Sequence, residues 1–205
     1  MAVKAGRYRG VSAEDRLADR RERLLEATLE VWSAEAGPPI TMTRVCAQAG
    51  LTERYFYESF RGLDAARLEV LQRIATEISE RSIEAMATTP GTPTDRARAA
   101  VAAFVQILTE DPRKGRIAMV ESLGVPALRP QRTALLRQFA DVAAEQAREL
   151  YGPRAWSERE GQMAALQFIG GLGEMVTAWI DGALKASPDD IIDAATRQFV
   201  STAHR

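Results

Sequence analysis

The 205-residue chain has no asparagine, one cysteine, one histidine and only three lysines against 24 arginines. Without asparagine there is no glycosylation sequon. A lone cysteine, Cys46, excludes an internal disulfide and fits a reducing cytoplasm, the expected location. His204, near the C-terminal end, is remote in sequence from Cys46, Ser122 and Ser157, so neither a Ser–His nor a Cys–His catalytic pair is expected. One histidine and one cysteine without clustered carboxylates predict no metal site. No catalytic residue, enzyme activity or cofactor is expected. No run of 18 apolar residues and no N-terminal apolar segment point to a membrane or to export.

Strong net charge is also missing. The formal charge is −1 and the isoelectric point about 6.0, which argues against a general polyanion binder. Any DNA contact must rest on a few placed groups. Residues 1–11 hold Lys4, Arg7 and Arg9 with no acid, while residues 12–61 hold seven basic and nine acidic side chains. This basic arm (1–11) is either a solvated tail or a contact with the minor groove or backbone.

What is present is helical periodicity, with proline and glycine between the periods and no convincing alternation for a strand. The first helix is expected over about 13–35, where Ser12 and Asp15 form a capping box and Gly37-Pro38-Pro39 ends the run. A fourth helix spans about 64–87, with Leu68, Leu71, Ile74, Ile78 and Ile83 inward. Further helices are expected over 95–110, 113–123, 127–151, 158–183 and from Ser187 to about Ala203. That makes an all-α fold of about nine helices.

The densest information lies in Thr41–Phe60, TMTRVCAQAGLTERYFYESF. Thr41 and Thr52 are placed to cap two short helices, and Gly50 supplies the left-handed break between them. Val45, Cys46, Ala49, Leu51, Phe56 and Phe60 form one apolar seam. Glu53, Arg54, Tyr55, Tyr57, Glu58 and Ser59 are left outside. Two outward tyrosines and an arginine serve no structural need of so short a helix, but they suit one that enters a DNA groove.

This segment resembles the helix-turn-helix of the TetR family of transcriptional regulators. Thr41, Val45, Ala49, Gly50, Leu51, Thr52, Phe56, Tyr57 and Phe60 match in type and spacing, and Cys46 replaces the usual alanine. Leu63 stands where the family carries a phosphate-binding lysine and Ala66 where leucine is common; Arg61 or Arg67 are the candidate replacements. The resemblance implies a helix-turn-helix domain over 12–62 and a regulatory ligand-binding and dimerisation domain over 63–205. DNA contacts are then expected from Thr43, Arg44, Thr52, Glu53, Arg54, Tyr55, Tyr57, Ser59 and Arg61. The implied function is a repressor, released from a palindromic double-stranded operator when a small, mainly apolar effector enters between helices four to eight and tilts helix four. The rival reading is a helical protein-interaction module that does not bind DNA.

The eighth helix carries two apolar stripes, Met163, Leu166, Ile169, Gly173, Val176 and Ile180, and Phe168, Leu172, Met175 and Trp179. Two faces need two partners. The second partner is either a twin chain or, if this is the central helix of a monomer, the chain itself. The resemblance favours a homodimer, with Trp179, Ile180, Ile192, Ala195 and Phe199 as its expected seam. Gly170-Gly171-Leu172-Gly173 lacks the spacing of a phosphate loop. An apolar effector would meet Phe104, Met119, Leu123, Phe139, Phe168 and Met175, with Arg116, Glu121 and Glu174 as orienting groups.

Overall fold

The computed structural model describes residues 12–34 and 38–204. Lys4, Arg7 and Arg9 of the basic arm lie outside them. The described chain is helical throughout: α1 (Ala13–Ser33), α2 (Met42–Ala49), α3 (Glu53–Ser59), α4 (Leu63–Thr88), α5 (Pro93–Glu110), α6 (Pro112–Met119), α7 (Arg129–Tyr151), α8 (Glu158–Ile180) and α9 (Pro188–Thr202). Among the described residues the only extended pairing is a single bridge between Ala155 and His204. The chain divides into two compact units between Gln72 and Arg73, so the first ten residues of α4 fold with α1 to α3.

Capping boxes set the starts of α1, α5 and α9. In each, a hydroxyl (Ser12, Thr92, Ser187) accepts from the backbone three residues on, and the aspartate there accepts in return. These hydrogen bonds hold the carboxyls of Asp15, Asp95 and Asp190 below the usual carboxylate range, with the hydroxyl's bond the largest cause. Thr41 likewise accepts from the Arg44 amide at 3.3 Å. Thr52 stands at the N-cap of α3 but makes no side-chain bond, contrary to expectation.

The first unit closes around Leu24, Thr28, Trp32, Val45, Phe56 and Ala66, all under 5% exposed. Thr28 is tolerated there because its hydroxyl donates to the Leu24 carbonyl at 2.7 Å. In the second unit α5 is the central helix, with eight of its residues buried. It packs against α6 and α9, while α7 pairs with α8 through Ala140, Ala144 and Ala165. Gly115 lets α6 approach closely: a Cβ there would lie 3.1 Å from Ile180 Cδ1. Charged side chains tie the exposed rims. Lys114 donates to Glu77 at 2.6 Å, Arg81 to Glu110 at 2.8 Å, and Arg98 pairs with Asp193.

Several expectations need correction. The sixth helix stops at Met119 rather than 123, because Glu121–Gly124 and Pro126–Leu128 turn as short 3₁₀ segments before α7 starts at Arg129. Ile83 is 39% exposed, since it falls off the stripe that Ile74 and Ile78 share on α4. The α8 stripes divide differently: Ala165, Phe168 and Val176 are buried together, whereas Met163 and Leu166 are 51% and 49% exposed. Apart from these corrections, α8 is long and apolar enough to cross a membrane by length and composition alone, as core helices of soluble proteins also are.

Candidate nucleic-acid interface

Three local devices fix how α3 is presented. The Gly50 backbone lies at φ 63°, a left-handed conformation that costs glycine little, and the Leu51 amide returns to the Cys46 carbonyl at 2.9 Å. The angle between α2 and α3 is thereby set by a glycine turn. Phe56 is fully buried and Phe60 nearly so, with ring centroids 5.5 Å apart. Because these two rings hold the inner side of the seven-residue helix, Glu53, Arg54 and Tyr57 must face outward. Burial is also what pushes the Cys46 thiol up, with the Glu53 charge second, so it is a packing group and not a thiolate.

Arginines of α1 clamp the back of the turn. Arg21 donates to the Ser59 carbonyl and to Glu69 of α4, and its guanidinium lies 4.3 Å over the Phe60 ring. Arg23 donates to the Ala49 carbonyl at 2.6 Å. Arg20 stacks 4.5 Å over Tyr55 and stands 3.9 Å from Glu58. None of these three arginines, nor Glu58, stood among the expected site residues. The only sequence signal was the cluster Arg20-Arg21-x-Arg23 on a helix that otherwise read as core.

The expected DNA contacts separate into two groups. Thr43 on α2, Thr52 before α3, Glu53, Arg54 and Tyr57 on it and Arg61 after it are all exposed. Thr43 donates to Glu53 at 3.0 Å, and Arg54 donates through Nε to Glu58 at 3.0 Å while its side chain stays 84% exposed. Tyr57 is 61% exposed. The others are engaged elsewhere. Tyr55 is half-buried beneath Arg20, Ser59 is half-buried, and Arg44 turns back to donate to the carbonyls of Pro38 and Pro39.

In the second unit the residues proposed for a ligand wall are spread across different surroundings. Phe104 is buried in α5, and Phe168 packs edge-on against Phe199 at 5.3 Å. Met119, Phe139 and Met175 are half-buried, Leu123 is 55% exposed and Glu174 is exposed. Arg116 pairs with Glu121 at 3.0 Å. The residues proposed for a dimer seam all have contacts inside their own chain. Ala195 is 1% exposed, Ile192 and Phe199 are buried, Trp179 donates to the Ala186 carbonyl at 2.9 Å, and Ile180 lies against Gly115. His204 is also held in place, bridging to Ala155 with its ring 4.4 Å from Tyr151.

No family model and no curated relative matches the sequence. Solved structures do match. The fatty acid degradation regulator FadR from Bacillus halodurans superposes with a TM-score of 0.76 at 14% identity, covering 91% of this chain and 97% of that one. A TetR-family transcriptional regulator from Streptomyces coelicolor gives 0.71 at 16% identity, covering 90% and 80%. The fold is that of the TetR-family regulators. FadR from Bacillus subtilis, solved in complex with stearoyl-CoA, gives 0.74 at 17% identity over 89% and 99%. In this fold α2 and α3 form a helix-turn-helix, with Glu53, Arg54 and Tyr57 on the exposed side of α3.

Proposed function

We propose that the chain is a DNA-binding transcriptional regulator, a repressor that leaves a palindromic operator when a small lipophilic effector binds its second unit. The observation that carries the reading is the α3 face. Phe56 and Phe60 lock the inner side, and Glu53, Arg54 and Tyr57 stand exposed on the outside. Regulation of transcription by the structural neighbours supports the reading at the level of fold. Action in the cytoplasm follows from the need to meet the chromosome.

A homodimer is part of the proposal. The support is α8, of which only 17% of the apolar window is buried within the chain. Met163, Leu166, Gly170 and Gly171 are exposed there, and a Cβ at either glycine would meet nothing within 4 Å. Two such helices, one from each chain, would approach closely there, and a two-fold dimer suits a palindromic operator whose half-sites lie about 34 Å apart. The effector class rests on Phe104, Met119, Phe139 and Met175, none of which brings a polar group to a ligand. Because one neighbour carries stearoyl-CoA, long-chain acyl-CoA is the first compound to try. The effector must bind the released state better than the operator-bound state; equal affinity would shift nothing.

The test is selection from a pool of randomised duplexes, followed by a shift assay on the selected sequence and on the DNA upstream of the chain's own gene. The expected result is a two-fold symmetric motif and loss of the complex on adding effector. Equal binding to all duplexes, or to none, would leave the protein-interaction reading in place.

A further inference from the structure

We infer that Glu53, steered by the Thr43 hydroxyl, selects a cytosine at one position of each half-site; this rests on the DNA-binding reading above. Glu53 is the first residue of α3, and its carboxylate is exposed. Thr43 reaches across from α2 and donates to Oε1 at 3.0 Å. One lone pair of Oε1 is thereby engaged and the plane of the group is restrained, while Oε2 keeps its lone pairs for another donor.

Base chemistry then decides what that donor is. An ionised carboxylate can only accept. In the major groove guanine shows two acceptors, thymine an acceptor and a methyl group, and adenine an amino group beside the N7 acceptor. Cytosine's N4 amino group is flanked by an acceptor on one side only, the O6 of its paired guanine, whereas adenine's N6 lies between N7 and the thymine O4, so cytosine repels the carboxylate least. The same charge repels phosphates, so Glu53 adds nothing to sequence-independent binding and acts only where a base repays it.

A plainer account makes Glu53 a partner of the free N–H groups at the start of α3, where Thr52 supplies no side-chain cap. That role gains nothing from a bond to a different helix. A group that reads a base gains a fixed direction from it. The two accounts also differ in what a neutral amide does, because glutamine can pair with both N6 and N7 of adenine.

The experiment compares motifs selected from randomised duplexes by the wild-type protein, Glu53→Gln and Thr43→Val, with melting curves for each. The wild type should show a cytosine column, and replacing that base should weaken binding by about 5- to 150-fold. Glu53→Gln should move that column to adenine and leave the others alone. Thr43→Val should keep cytosine with a smaller penalty for the wrong base, as a positioning residue would. A motif unchanged in Glu53→Gln, with or without a lower melting temperature, overturns the inference and leaves the DNA-binding reading standing. A wild type that selects no sequence overturns both.

Discussion

Arg21 offers the sharpest test of how the recognition helix is held. Its guanidinium makes three contacts at once: the Ser59 carbonyl at the end of α3, the Phe60 ring that follows it and Glu69 on α4. A hydrogen bond from a charged donor contributes about 1.5–3 kcal/mol, and the lower end applies here because Ser59 is only half-buried and its carbonyl can regain water. The ion pair to Glu69, with side chains 36% and 25% exposed, contributes about 0.5 kcal/mol after solvent screening. The cation–π contact at 4.3 Å contributes about 0.5–1 kcal/mol. Arg21→Ala should therefore weaken the closure of α3 by about 2–3 kcal/mol, a factor of about 30 to 150 in the local opening equilibrium. Hydrogen exchange of the Phe56 and Tyr57 amides should speed up by that factor, while Val105 and Ile107 in α5 hold their rates. Arg21→Lys keeps the charge without the fork and should recover less than half of the loss. An α3 exchange rate within about three-fold of wild type, or an equal change in α5, would refute the clamp.

Four further outcomes follow from the same geometry. Arg54→Ala should cost about 1–3 kcal/mol on the selected site and relax one position of the motif, whereas Tyr57→Phe should weaken all duplexes about equally; two unchanged affinities would remove α3 as the recognition helix. Gly50→Ala should destabilise the first unit by about 1–2 kcal/mol in urea titration, since alanine is strained at φ 63° and its Cβ would lie 3.3 Å from Arg23 Nη2. Asp15, Asp95 and Asp190 have depressed folded-state values, so their contribution is present above the ordinary carboxylate value of about 4 and is lost as pH falls below it. Circular dichroism of Ser187→Ala should show less acid sensitivity across that window than wild type. For the dimer, Leu166→Glu should give a folded monomer in sedimentation, while Ala195→Glu should unfold the second unit; a wild type that stays monomeric at all concentrations would end the dimer proposal.

Most of the helices were legible because their signals are local. Capping boxes at Ser12 and Ser187 need only four residues of sequence, and Gly50 announces its own turn. The inward positions of Phe56 and Phe60 followed from their i, i+4 spacing, and with them the exposure of Glu53, Arg54 and Tyr57. Long-range partners left no such mark. Nothing near Arg44 says that it will bend back to the Pro38 and Pro39 carbonyls, and nothing near Tyr55 says that Arg20 will cover it. These contacts separate exposed candidates from those already engaged, and they depend on where α1 crosses α3. Periodicity reports which residues share a side of a helix, and tertiary packing decides what that side meets.

The helices at the C-terminal end show the difference most clearly. Periodicity gave α9 an apolar side through Ile192, Ala195 and Phe199, and an apolar side can face a twin chain or the chain's own core. Packing resolves it: Phe199 meets Phe168, Ala195 is 1% exposed, and Arg98 of α5 pairs with Asp193 at the edge. That side of α9 is consumed within the second unit. On α8 the apolar character runs further around the helix than its neighbours cover. Ala165, Phe168 and Val176 are buried, and Met163 and Leu166 remain half in water beside glycines that leave the backbone bare. Covering two such side chains stabilises by about 25 cal/mol for each Å² of apolar surface removed from water, whereas the α9 side has no comparable area left to bury. A subunit interface built on this fold should therefore centre on the outer stripe of α8, with α9 supporting it from behind.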